Sequence, residues 1–162
     1  MVKKMLKKLF IALLSTICFS FIYACFSYDP HTPEDTYHFG FIELFSLAII
    51  YSGVIYFVVG ILLSYGVDKC HQLQHYRSKL TSYFAKVGMY SIAGMFVTFP
   101  LFLYETLSLH LSNLSILDNI RWLIFMLLYG SYASNVFYHI ELFINAIGKR
   151  IRNQTISDLE MK

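Results

Sequence analysis

The chain has 162 residues, of which 57% are hydrophobic, 18% aromatic and 14% charged, with a formal net charge of +3 and a mean hydropathy of +0.55. A soluble domain averages about 45–50% apolar and about 25% charged residues, so a water-soluble globule is excluded, and the apolar excess also excludes a disordered chain. The expected fold class is an all-α integral membrane bundle of four transmembrane helices, forming a single membrane domain with no soluble domain attached.

Four stretches reach the roughly 20 apolar residues that a helix needs to cross a bilayer, and none alternates in polarity as a barrel strand would. The first, Leu9–Tyr28, follows Lys3, Lys4, Lys7 and Lys8. Its Ile22-Tyr23-Ala24-Cys25 is similar to a lipoprotein cleavage box, but Tyr23 stands where a small or aliphatic residue belongs. The run of 20 residues also exceeds the roughly 7–15 of a signal core, so the segment is expected to stay as a span. The connection Asp29–Gly40 has no Lys or Arg. It holds Asp29, Glu34 and Asp35 with His31 and His38, stiffened by Pro30 and Pro33, as suits a loop translocated across the membrane.

In the second span, Phe41–Val67, Ser46, Gly53 and Gly60 recur every seven residues and Ser64 falls on the same side. Small residues let membrane helices approach closely, so the stripe is expected to be a packing face. The stretch Asp68–Lys86 follows. There His71 and His75 are four residues apart, as on a two-histidine metal face, but Asp68 is the sole further ligand nearby and no metal is expected. With Leu73, Tyr76, Leu80, Tyr83 and Phe84 among its bases, the stretch is better suited to an interface rich in anionic lipid.

The third span, Val87–Leu107, places Ser91, Gly94, Thr98 and Glu105 in one narrow sector at about 100° per residue, and Pro100 removes a backbone hydrogen bond within it. The fourth, Trp122–Ile147, is the most polar. Ser134, Tyr138, Glu141 and Asn145 form one line; Ser131, Asn135 and His139 form a second a quarter turn away. Met126, Ala133, Ile140, Ile144 and Ile147 are expected to face lipid. Because an ionisable group inside a membrane is a functional candidate by default, Asn135, His139 and Glu141 are weighed as a proton or cation path. Against that stands a simpler use: Asn135 and His139 bonding to neighbouring helices, and Glu141 reaching the basic membrane surface. Glu43, Glu105 and Arg121 lie near the opposite ends of their spans and are expected to act separately.

Twelve of the thirteen Lys and Arg residues fall on one side of this arrangement, leaving Arg121 alone on the other. Short cytoplasmic loops collect positive charge, so both termini are expected in the cytoplasm. Cys18, Cys25 and Cys70 contain no Cys-x-x-Cys pair and argue against a disulfide framework. No phosphate-binding Gly-x-x-x-x-Gly-Lys loop, His-Glu-x-x-His motif or Gly-x-Ser-x-Gly elbow occurs, so no cofactor and no enzymatic activity are expected.

The Lys3-Lys4 and Lys7-Lys8 pairs, the four closely spaced spans and the Lys149-Arg150-Ile151-Arg152 tail resemble small uncharacterised four-span membrane proteins of Gram-positive bacteria. The resemblance covers the whole chain and implies a plasma-membrane location. The expected role is a non-enzymatic interaction, regulatory or immunity-type protein. Its expected partners are the lipid bilayer and another membrane protein or a second copy of itself, and nucleic acid is not among them. The alternative is a small ion or solute permease acting as an oligomer.

Overall fold

A computed structural model of the chain describes residues 2–30, 39–108 and 116–160, and every regular element among them is helical. The elements are α1 (Val2–Ser27), α2 (Phe41–Val54), a π-helical turn (Ile55–Gly60), α3 (Ile61–Gln72), α4 (Lys79–Ser108) and α5 (Ile116–Glu160). α2, the π turn and α3 form one uninterrupted rod of 32 residues. Three helices are long and apolar enough to cross a membrane: Lys4–Ser27, Phe41–Gln72 and Lys79–Thr106. α5 is the longest, at 45 residues, and more polar along its length. His31, Glu34, Asp35 and His38 lie outside the described residues.

Local chemistry marks the helix ends. Gly40 caps α2, and the Glu43 carboxylate turns back to accept the Gly40 N–H at 3.0 Å, satisfying a donor that the first helical turn leaves free. Ser78 does the same for α4, its hydroxyl accepting the Thr81 N–H at 3.1 Å. α3 closes in a tighter turn in which the Leu73 N–H reaches the Cys70 carbonyl.

The rods alternate in direction. Lys8 near the start of α1, Asp68 near the end of α3, Lys86 near the start of α4 and Glu141 in the later part of α5 meet at one end of the bundle. At the other end Phe21 packs on Phe41 and Phe45, and Trp122 bonds Glu105. A single core draws on every rod, with Ile11, Phe19, Tyr56, Val67, Tyr90 and Phe137 among its buried members. Outside it the bundle presents large apolar side chains, such as Ile50, Phe96 and Leu128. That surface suits lipid tails, which solvate apolar groups as well as another helix does.

The π turn alters the packing face expected for the second span. Ser64 is twelve residues beyond Ser52, and on an unbroken α-helix it would point about 120° away. A π turn takes up about one extra residue; eleven α-helical steps leave only about 20°. The buried face therefore runs Ala48, Ser52, Tyr56, Ser64, Val67. Ser46 is exposed and lies off that face; Gly53 and Gly60 are half-buried beside it. The expected stripe assumed one uniform pitch, and the π turn splits it.

α5 corrects a second expectation. Ala133, Ile140 and Ile144 pack on the core, not on lipid. The exposed side carries Ile124, Phe125, Leu128, Tyr132 and Phe143. The reason is that α5 touches both α4 and α1, so its buried sector is wider than its two polar lines.

Candidate functional site

The centre of the polar end is Lys8, a residue of the basic flank that the bundle draws inside, leaving it 7% exposed. Its ammonium donates to Ser64 Oγ, to Asp68 Oδ2 at 2.9 Å and to Glu141 Oε1 at 2.6 Å, so each of its three N–H groups has a partner. Tyr90 OH donates to the other Glu141 oxygen at 3.1 Å, and Ser64 in turn lies 2.9 Å from Tyr90 OH. Lys86 approaches Asp68 Oδ1 at 2.7 Å and lies 5.7 Å from the centre of the Tyr138 ring. Two cations thus balance two carboxylates, across α1, α3, α4 and α5. Burying such charges costs several kcal/mol per ion unless geometry and hydrogen bonding are good, and here both carboxylates accept several bonds.

The first polar line of α5 faces this network. Ser134 donates to the Tyr90 carbonyl at 2.6 Å; Tyr138 is buried and stacks on Tyr90 at 5.1 Å; Glu141 holds Lys8; Asn145 accepts from Lys7. The second line turns to α4. Asn135 Nδ2 donates to Ser91 Oγ at 2.8 Å, and its buried carbonyl oxygen has no partner among the described residues. His139, on the exposed side, lies 3.0 Å from Tyr83 OH. Asn135, His139 and Glu141 thus have different partners: Ser91, Tyr83 and Lys8.

α4 and α5 approach most closely where Gly94 faces Gly130. A Cβ added to Gly130 would come 2.5 Å from the Gly94 carbonyl oxygen and as close to Thr98, and one added to Gly94 would overlap the Gly130 carbonyl. Here hydrogen at Cα is a packing requirement. Gly94 and Thr98 are buried and Ser91 half-buried on this seam.

The remaining candidates are scattered. Glu105 accepts from Trp122 Nε1 at 3.1 Å, Arg121 sits 3.7 Å from Asp118, and Glu43 caps α2, so these three form no cluster. α3 ends at Gln72, which leaves His75 off the helix. His71 instead bonds Ser82 Oγ at 3.0 Å and stacks on Tyr76. Among the described residues no three His, Cys, Asp or Glu side chains gather as metal ligands, and all three cysteines are free.

A different feature lies toward the opposite end. α2 packs chiefly on α1, while α3 carries the contact with α4. Between α2 and α4 the rods leave a cavity of about 440 Å³, almost wholly apolar, bordered by the π turn and by α5. Its walls include Ala48, Ser52, Gly60, Ala93, Gly94 and Thr98.

Lys8, Lys86, Tyr90 and Gly130 are functional or packing residues that the sequence patterns did not single out. A usable signal existed for Lys8: Ala12, Ser15 and Phe19, at four, seven and eleven residues beyond it, share its helix face and are all buried. For Gly130 the signal was Ser134, one turn on, which completes a small-x-x-x-small pair.

Fold and site together define a class: an all-helical protein with three helices able to cross a membrane, tied by a buried ion network and open along one side. The chain matches no protein-family model, no curated protein and no solved structure.

Proposed function

We propose that the chain is a four-span protein of the cell membrane, with both termini cytoplasmic, that acts without catalysis by seating a transmembrane helix of another protein in the groove between α2 and α4. The groove carries this reading. Membrane helices join through small residues, and Ala48, Ser52, Gly60, Ala93 and Thr98 lie in the walls of this groove among larger side chains such as Tyr51, Leu63, Val97 and Leu101. A ridge of large side chains from a partner helix would fill it.

Depth supports the fourth span. Lys86 and Glu105 in α4, and Trp122 and Glu141 in α5, are each 19 residue steps apart, about 28 Å at about 1.5 Å per residue, against a hydrocarbon core of about 30 Å. Residues 122–140 contain no Asp, Glu, Lys or Arg. The bias of basic residues supports the orientation. Retention of α1 is supported by Lys8, whose loss would leave Glu141 without its cation. The permease alternative is less favoured because Asn135, His139 and Glu141 point to three different surroundings.

The test is a photo-crosslinking residue at Val97, on the groove wall, in cells. A discrete adduct is expected, and Ala93→Phe, which fills the groove, should abolish it. An adduct with a second copy identifies self-association as the form the interaction takes. An adduct unaffected by groove filling, or a protein that runs as a monomer on blue-native gels with no adduct, overturns the proposal.

A further inference from the structure

Beside the ion network, on the side of α1 and α3, lies a second recess, of about 510 Å³. Its floor is Lys8, Asp68 and Glu141; its rim is Lys4, Lys7 and Lys69. The floor is electrically closed, because Lys8 and Lys86 together answer the two carboxylates. The rim is not. Lys4, Lys7 and Lys69 are exposed, and among the described residues no carboxylate pairs with any of them. Among the described residues, the side-chain hydrogen bond from this trio runs from Lys7 to the neutral amide oxygen of Asn145. The recess therefore holds three uncompensated positive charges around a floor that neither repels nor attracts an anion.

We propose that this recess binds the phosphate of an anionic phospholipid, phosphatidylglycerol or a lipid of the same charge, in the leaflet that the basic residues face. Three lysines lining one recess suit a phosphate diester, which ammonium groups meet as point charges. Depth selects a lipid as the source. Lys7 and Lys69 flank the apolar runs that begin at Leu9 and end at Val67, which is the level of the headgroups. Tyr65, on the wall of the recess and 43% exposed, offers an amphipathic ring at the same level, as interfacial tyrosines do. Lys8 plays an indirect part: together with Lys86 it offsets the charges of Asp68 and Glu141, and so reduces the repulsion that two carboxylates would exert on an incoming phosphate. The choice of leaflet rests on the four-span reading, whereas the site itself does not.

The experiment uses the purified full chain in neutral detergent, titrated with phosphatidylglycerol, with phosphatidylcholine and with inorganic phosphate, and reads lipid binding by native mass spectrometry together with the thermal midpoint. Phosphatidylglycerol should bind at least about tenfold more tightly than phosphatidylcholine, a preference that declines with salt. The triple variant Lys4→Gln, Lys7→Gln, Lys69→Gln should lose the preference, and the corresponding triple Arg variant should keep it. A control that removes three charges elsewhere on the same side, Lys79→Gln, Lys149→Gln, Arg150→Gln, should also keep it. Equal loss in the control, or an unchanged preference in the first triple variant, overturns the site. Equal stabilisation by inorganic phosphate overturns the lipid as its source. Binding in detergent is independent of topology, so these outcomes are separable from failure of the four-span reading, which shows as a terminus accessible from outside the cell.

Discussion

At the end of the bundle that contains Lys8, charges and hydroxyls from four helices meet within hydrogen-bonding distance, whereas toward the opposite end α2 is joined to α1 by a single hydroxyl pair, Ser20 and Ser52 at 3.0 Å, and stands away from α4. At both ends every rod carries Leu, Ile or Phe. The difference shows what decides contact between helices surrounded by lipid. Apolar faces gain little by leaving lipid tails for one another, so helices meet where polar or small residues draw them and part where those are lacking a partner. The groove is open because, among the described residues, no hydrogen bond or glycine contact joins α2 to α4: Ser52 is taken up by Ser20, and Gly94 and Thr98 by Gly130.

The largest test of this contrast removes the central cation. Lys8→Met leaves Glu141 buried with the Tyr90 hydroxyl in place of a cation, and the expected cost is about 3–5 kcal/mol, read as unfolding in detergent. Replacing Lys8 and Glu141 together by Met and Leu should recover most of that loss, since Asp68 still has Lys86. If the single variant is as stable as the parent, charge does not hold that end. Next in size is the seam between α4 and α5. Gly94→Ala should cost about 1–3 kcal/mol by driving a methyl group into the Gly130 backbone. Gly88→Ala in the same helix meets nothing within 4 Å and should gain up to about 1 kcal/mol from helix propensity alone. The smallest effect expected is that of Asn135→Ala, which removes one bond to Ser91 and should cost about 0.6 kcal/mol, the average for polar contacts between membrane helices. A loss several times larger would place Asn135 with the ion network and not with ordinary packing. Sidedness has its own check: with Cys18 and Cys25 replaced by Ser, an impermeant thiol reagent added to intact cells should modify Asp29→Cys and leave Cys70 untouched.

Much of the fold was legible because hydropathy and the 3.6-residue period are strong signals over runs of 20 residues or more. The period grouped Ser134, Tyr138, Glu141 and Asn145, and in the bundle all four meet α1 or α4. Two kinds of information were not legible. Lys8 stands among Lys3, Lys4 and Lys7, and although it shares a helix face with Ala12, Ser15 and Phe19, that spacing does not say which face of α1 the bundle buries. The spacing of Ser46, Gly53, Gly60 and Ser64 presupposes an even helix, and no residue between Ile55 and Gly60 announces that the backbone widens there. The Gly94–Gly130 contact joins residues on different helices; each glycine belongs to a small-residue pattern of its own, but neither pattern names the other as its partner.

The π turn has a consequence for how chain length can vary. Along α1, α4 or α5, deleting one residue would rotate everything beyond it by about 100° and turn core positions toward lipid. Between Ile55 and Gly60 the same deletion would let the backbone relax to ordinary α-helical pitch, with Ala48 and Ser52 still in line with Ser64 and Val67. The second rod thus carries one spare residue, at the level of the groove. A gap in alignment with a shorter relative would be tolerated there, and the groove wall would be reshaped while the ion network at the other end kept its partners.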